Sequence, residues 1–389
     1  MLSRRKFLHI AGAGAAGFGL DACIVKAEAQ TKEISGMPRI KAYRDLGKTG
    51  LKLSDIGCGA INFYNPNVLR YAYDCGVTHF DTAEGYLNTN SERMLGQALQ
   101  DVRDKVVITT KHLQTSPASR DRAALVARVE ASLKRLQTDY LDIALVHSAD
   151  EAVNIEHEEV TAAYTLLKQD GKARFIGFST HDAAKMLPLA IQSGIWDVVL
   201  LVYNHMEGPA VEPLIAQAHA KGIGIIAMKV FAGGMQGNLK SMVSEKVGYS
   251  QAAIRWVLAN PNVDVCIVTL STFSHVDEYV SASGMPLQRS DRPLLSRYGK
   301  EAGPLYCRVS CRECLAACTR GVAVNDVLRY AMYFENYGME KEAMQLFRSL
   351  DQDRKPLTCA SCSAPCQAAC PFGLRVRERL LRSQAMLQA

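Results

Sequence analysis

Two groups of residues in this 389-residue chain could carry chemistry. The first is Asp81, Tyr86, Lys111 and His147, each falling at or just after the end of a short apolar run. All four are acid–base side chains, the kind that move protons to or from a reacting group. Singly, each has a bland reading: a capped loop, a half-buried ring, an ion pair, a satisfied histidine. Their recurrence at successive run ends favours a shared catalytic site. The second group is thiols. Of 12 cysteines, only Cys23, Cys58, Cys75 and Cys266 precede residue 300. The others form two sets: Cys307, Cys311, Cys314 and Cys318, then Cys359, Cys362, Cys366 and Cys370. Four closely spaced thiolates suit a 4Fe–4S cluster. Disulfides and structural zinc remain alternatives, although the region from 300 onward lacks the histidine that zinc sites often use.

Positioning the first group requires a frame. Apolar, β-rich runs occupy 55–62, 77–87, 105–112, 140–148, 173–181, 196–205, 222–231 and 263–271. They are continuous rather than alternating, which implies strands buried on both faces. Helical patterns separate them; Leu125, Val126, Val129, Leu133 and Leu136 share one face of such a segment. Strands alternating with helices predict a parallel sheet. Eight such units predict a closed (βα)8 TIM barrel, of class α/β, over about residues 40–290. In that fold the C-terminal strand ends carry the chemistry. A small cysteine-rich region, 300–389, follows. Its helical stretches carry Tyr330, Tyr333, Phe334 and Tyr337, expected as core residues of that region.

The runs DTAEGY (81–86), ITTK (108–111), DIALVHS (142–148) and IGFST (176–180) resemble the aldo-keto reductase superfamily over about residues 42–285. The resemblance implies an oxidoreductase that interconverts a carbonyl and an alcohol. Tyr86 is then the general acid at the carbonyl oxygen. Lys111 is expected to lower its pKa, Asp81 to hold Lys111, and His147 to orient the carbonyl. It also implies an NADP or NAD site, here reduced to Ser179, Thr180, Met228, Lys229 and Glu278. Leu200, Thr269, Leu270, His275 and Tyr279 stand where the family carries other residues. The whole chain resembles a subgroup with a C-terminal two-cluster ferredoxin-type domain, which implies two 4Fe–4S clusters on the eight cysteines. The ends of such cysteine runs commonly cross between clusters.

The N-terminus reads as an address. Arg4 and Arg5 precede a weakly apolar stretch, and Ala27-Glu28-Ala29 offers a small-residue cleavage site. Residues 1–29 are expected to be a twin-arginine signal peptide, exporting the protein to the periplasm or cell envelope. Asp21 before Cys23 argues against a lipid anchor there. No run of about 18 apolar residues is present, so no transmembrane span is expected. Net charge is +6, with 48% hydrophobic and 22% charged residues. These values fit a globular chain, and the absence of a basic, aromatic-laced stripe excludes nucleic acid as an expected partner. The expected partners are a small carbonyl or alcohol and a redox protein. The alternative is an electron-transfer module whose barrel is a binding scaffold.

Overall fold

Eight short strands, buried along most of their length, close on themselves. The computed structural model describes residues 36–114, 117–233, 248–305 and 307–389; the expected signal peptide, residues 1–29, and Cys23 lie outside them. Residues 37–389 pack as one unit. The barrel strands are β3 (Ile56–Gly59), β4 (His79–Asp81), β5 (Val107–Leu113), β6 (Leu141–His147), β7 (Ala173–Thr180), β8 (Val198–Val202), β9 (Gly224–Met228) and β10 (Val265–Thr269). They pair in parallel and in sequence, with β10 closing on β3. All eight expected strands are thus present. Their registers align the chemical ends: Gly59 pairs with Asp81, and Asp81 with Thr109.

Helices follow the strands and start on local caps. Asp121 accepts from the Ala124 amide (2.8 Å) to begin Arg122–Leu136, and Asp182 accepts from the Lys185 amide (3.2 Å) to begin Ala183–Ser193. Such caps satisfy amides that the first helical turn leaves free. In Arg122–Leu136, Leu125, Val129, Leu133 and Leu136 are buried, as their spacing required.

One element is additional to the eight expected units. An antiparallel hairpin, β1 (Tyr43–Asp45) and β2 (Lys52–Ser54), plugs the N-terminal end of the barrel. Its Leu46, Leu51 and Leu53 join Val107, Ile143, Leu145, Val198, Leu200, Ile226 and Val265 in the inner core. The expected strand position Leu200 is therefore packing. Gly47, at φ +48°, lets the hairpin approach closely, since a Cβ there would lie 2.5 Å from the Gly222 carbonyl.

Beyond the barrel, the described residues from 307 onward form helices and no strand: Glu313–Ala317, Val324–Asn336, Glu340–Ser349, Pro365–Ala368 and Val376–Gln388. They share a core of Val324, Val327, Leu328, Phe347, Leu374 and Leu380 with cysteines among them. This region sits on the barrel's C-terminal loops. Arg329 pairs with Asp150 (3.1 Å) and Arg312 with Asp182 (3.0 Å). The Ser310 hydroxyl donates to Glu207 (2.7 Å), and Asn62 donates to the Tyr337 carbonyl (2.5 Å).

Replacing Leu53 with Ala opens a cavity beneath the barrel. The expected loss is about 2–5 kcal/mol of unfolding free energy, read as a lower urea midpoint at unchanged slope.

Candidate active site

Asp81 ends β4 and Lys111 lies within β5, one strand over. Both side chains are almost wholly buried. The Lys111 ammonium donates to Asp81 Oδ1 (2.6 Å) and to the Thr82 carbonyl (2.5 Å). Burial pushes the Asp81 carboxyl up and the Lys111 ammonium down, and each charge opposes the other's shift. Asp81 Oδ2 is buried with no hydrogen-bond partner among the described residues.

Tyr86 stands on the loop after β4. Its ring centre lies 4.9 Å from the Lys111 ammonium and 5.6 Å from the His147 ring, edge to face. His147 is the last residue of β6. All four expected catalytic residues border one cavity at the barrel mouth. The loop is pinned from behind. Thr82 and Ser91 share a 2.6 Å hydroxyl contact, and Ser91 donates to the Ala60 carbonyl (2.7 Å). Buried Glu92 accepts from Thr110 (2.6 Å) and Arg135 (2.5 Å). Left-handed backbone follows these residues at Leu87, Asn88 and Thr89, and again at Ser148 and Lys229. Such strain concentrates at functional sites.

One expectation is corrected. Lys111 was expected to draw the Tyr86 phenol down. Burial, then the Asp81 and Tyr333 groups, hold it well above its ordinary value. The ammonium is directed at Asp81, so Tyr86 remains a protonated phenol. Burial, with the Lys111 charge next, keeps His147 well below its ordinary value, and therefore neutral at neutral pH.

The expected nucleotide residues divide. Ser179, Met228 and Lys229 border the cavity. The Ser179 hydroxyl accepts from the Ser148 amide (2.9 Å). Thr180 does not border it. Adjacent residues of a strand face opposite ways, and its hydroxyl donates instead to Asp150 (3.1 Å). Glu278 also lies off the cavity, on the helix Phe273–Val280. Thr269 and His275 border it where the family's cations are expected.

The sequence reading missed the contribution of the C-terminal region. Tyr333, Asn336 and Tyr337 line the barrel cavity, so Tyr333 and Tyr337 are more than core residues of their own region. No local signal marks them, because 222 residues separate Tyr333 from Lys111 in the chain.

The eight cysteines also regroup. Cys307, Cys311, Cys314 and Cys370 border one cavity of about 310 Å³. Cys318, Cys359, Cys362 and Cys366 border another, of about 330 Å³. The last thiol of each sequence set crosses to the other. None of the eight is in a disulfide. Among the described residues, no three Cys, His, Asp or Glu side chains gather in a way that could hold a metal ion. The thiols rim spaces instead. Burial, reinforced by neighbouring thiols, pushes Cys314 up to about 12 and Cys359 up to about 11. One helix touches both kinds of cavity. In Val324–Asn336, Asn325 and Leu328 border the first thiol cavity, while Tyr333 and Asn336 border the barrel cavity. Asn325 and Tyr333 are about 12 Å apart along its axis, at 1.5 Å per residue.

Four buried histidines make stability depend on pH. Burial lowers His79 and His112 to about 3 and His181 to about 4, with His147 also well below its usual value. The unfolded chain, with histidine pKa values near about 6.5, binds protons first. Stability is therefore lost as pH falls below about 6.5, by up to about 1.4 kcal/mol per pH unit for each histidine. Urea midpoints at pH 7 and pH 5 check this; equal midpoints would refute the buried neutral histidines.

The sequence profile of the aldo/keto reductase family matches residues 64–242. L-galactose dehydrogenase of Arabidopsis thaliana is 31% identical over 287 residues, covering 61% of this chain and 87% of that enzyme. L-glyceraldehyde 3-phosphate reductase of Escherichia coli (strain K12) is 32% identical over 181 residues, covering 42% of this chain and about half of that enzyme, 52%. An aldo-keto reductase from Klebsiella pneumoniae, solved in complex with NADPH, superposes with a TM-score of 0.54 at 25% identity, covering 67% of this chain and 94% of that one. This chain belongs to the aldo/keto reductase family, whose members are oxidoreductases.

Proposed function

We propose that this protein is an exported oxidoreductase that interconverts a carbonyl and an alcohol in the barrel cavity, coupled to electron transfer through two 4Fe–4S clusters held by the C-terminal cysteines. The observation that carries the first half is the meeting of Asp81, Tyr86, Lys111 and His147 on one cavity. Tyr86, protonated at neutral pH, donates a proton to the carbonyl oxygen, while the carbonyl carbon takes the equivalent of a hydride, two electrons and a proton, from a two-electron carrier that the clusters would recharge one electron at a time. His147, neutral, donates a hydrogen bond that fixes the direction of that oxygen. Lys111 sets the charge beside the phenol, and Asp81 keeps Lys111 charged and in place. Burial of the pair strengthens these electrostatic effects over their size in water.

The second half rests on the donor sets. Each thiol cavity is bordered by four cysteines, and among the described residues no three of them gather as they would around a single metal ion. Four thiolates and a space between them fit a 4Fe–4S cluster. Cys307, Cys311, Cys314 and Cys370 would hold one cluster; Cys318, Cys359, Cys362 and Cys366 the other. Bound clusters supply single electrons, and the helix Val324–Asn336 links the first cavity to the barrel mouth. A redox protein would exchange electrons with them.

A nicotinamide dinucleotide fits only at its ring end, where Ser179 and Met228 border the cavity. Thr269 and His275 offer no fixed positive charge for a 2′-phosphate, which favours a bidentate arginine. No step is assigned to it. Export rests on Arg4, Arg5 and the Ala27-Glu28-Ala29 site. Among the described residues no helix is long and apolar enough to cross a membrane. The second reading, an electron-transfer module with a binding barrel, is favoured by the missing phosphate contacts.

Replacing Tyr86 with Phe separates the readings. The expected outcome is a loss of about 10²-fold or more in carbonyl turnover with unchanged circular dichroism; unchanged turnover supports the scaffold. Anaerobically purified protein is expected to be brown and to contain iron and acid-labile sulfide. Cys370→Ser and Cys318→Ser should each remove about half of that iron. A colourless, iron-free protein would overturn the cluster assignment.

A further inference from the structure

Among the described residues, the barrel cavity contains one cation that the proposed chemistry does not use. Lys229 follows β9 in left-handed backbone, φ +56°. Its ammonium lies 4.9 Å from the Tyr333 ring centre and 5.7 Å from that of Tyr337. Among the described residues it reaches one hydrogen-bond partner, the Tyr333 hydroxyl, at 3.5 Å. That hydroxyl lies 3.4 Å from His181 Nε2. Both separations are long for hydrogen bonds, and an ammonium has three donors to place.

No carboxylate among the described residues answers it. Asp81 is the single carboxylate bordering the cavity, and Lys111 holds it. Asp150, just outside, is engaged by His181 and Arg329. The neighbouring His147, His181 and His275 are all shifted toward their neutral forms by burial. Among the described residues the cavity lining therefore carries an excess positive charge beside two aromatic rings. Burial opposes the Lys229 charge, but the two tyrosines outweigh it and hold the ammonium above its ordinary value; an incoming anion would supply the full counter-charge that the rings do not.

We infer that Lys229 and Tyr333 form a receiving site for a carboxylate on the carbonyl substrate that enters the barrel cavity. Lys229 supplies the charge and the Tyr333 hydroxyl rotates to donate. The barrel and the C-terminal region each contribute one half of the site. The inference rests on the reading of this cavity as the reaction site. A nucleotide phosphate is the competing guest, and the test separates the two.

The test is calorimetric titration of anaerobically purified, cluster-loaded protein with oxamate, inorganic pyrophosphate and NADPH. Wild type, Lys229→Gln, Lys229→Arg and Tyr333→Phe are compared. Loss of a charge-assisted contact predicts about tenfold or more weaker binding in Lys229→Gln, smaller weakening in Tyr333→Phe, and recovery in Lys229→Arg. Weakening confined to oxamate assigns the anion to the substrate. Weakening confined to pyrophosphate and NADPH assigns Lys229 to a nucleotide phosphate and overturns the inference. Unchanged affinity for every probe, with only a lower melting temperature, overturns the inference and leaves Lys229 as a strut for the docked helix. No binding of any probe to the wild type also overturns it. Binding is read without turnover, so failure of the Tyr86 reading and failure of this one are seen separately.

Discussion

The site hangs on one buried ion pair. Asp81 and Lys111 are each 2% exposed and 2.6 Å apart. Two isolated charges could not lie there; removing one partner from such a pair costs about 3–5 kcal/mol. The pair requires β4 and β5 to be adjacent and in register, and the closed barrel enforces both. It also fixes the direction of the Lys111 charge. Because that charge is directed at Asp81, the phenol beside it is governed by burial, and Tyr86 is held as an acid. The bonds around Glu92 and Ser91 serve the same end, since they locate the loop that carries the phenol.

A second constraint acts across the barrel mouth. The loops after β3, β6, β7 and β8 each bond to the C-terminal region through Asn62, Asp150, Asp182 and Glu207. The helix they support lines the cavity with Tyr333 and Asn336. The cavity is therefore a joint product of both parts of the chain, and its polarity cannot be derived from the barrel alone. Asp150 shows the dependence at one residue: it pairs with Arg329 from one side and His181 from the other.

The eight strands were legible because buried parallel strands need continuous β-branched runs, and such runs have few other uses. The four acid–base residues were legible for a related reason: strand ends place side chains at one rim. The β1–β2 plug was missed although Leu46, Leu51 and Leu53 flank a glycine turn, because its strands have only three residues each. Of the neighbours Ser179 and Thr180 only Ser179 borders the cavity, since adjacent strand residues face opposite ways. Glu278 lies off the cavity, because matching a position in a motif does not fix which way a helix presents it. The cysteine partners could not be read from spacing, since they depend on how the helices of 313–388 fold back on one another.

That crossing has a consequence for synthesis. The cavity begun by Cys307 lacks its fourth thiol until Cys370 is added, and the cavity that takes Cys318 lacks its own until Cys366. Both sites are therefore completed within a few residues of each other, at 366 and 370. A nascent chain that ends between residues 270 and 365 carries all the barrel strands while both thiol rims are still broken.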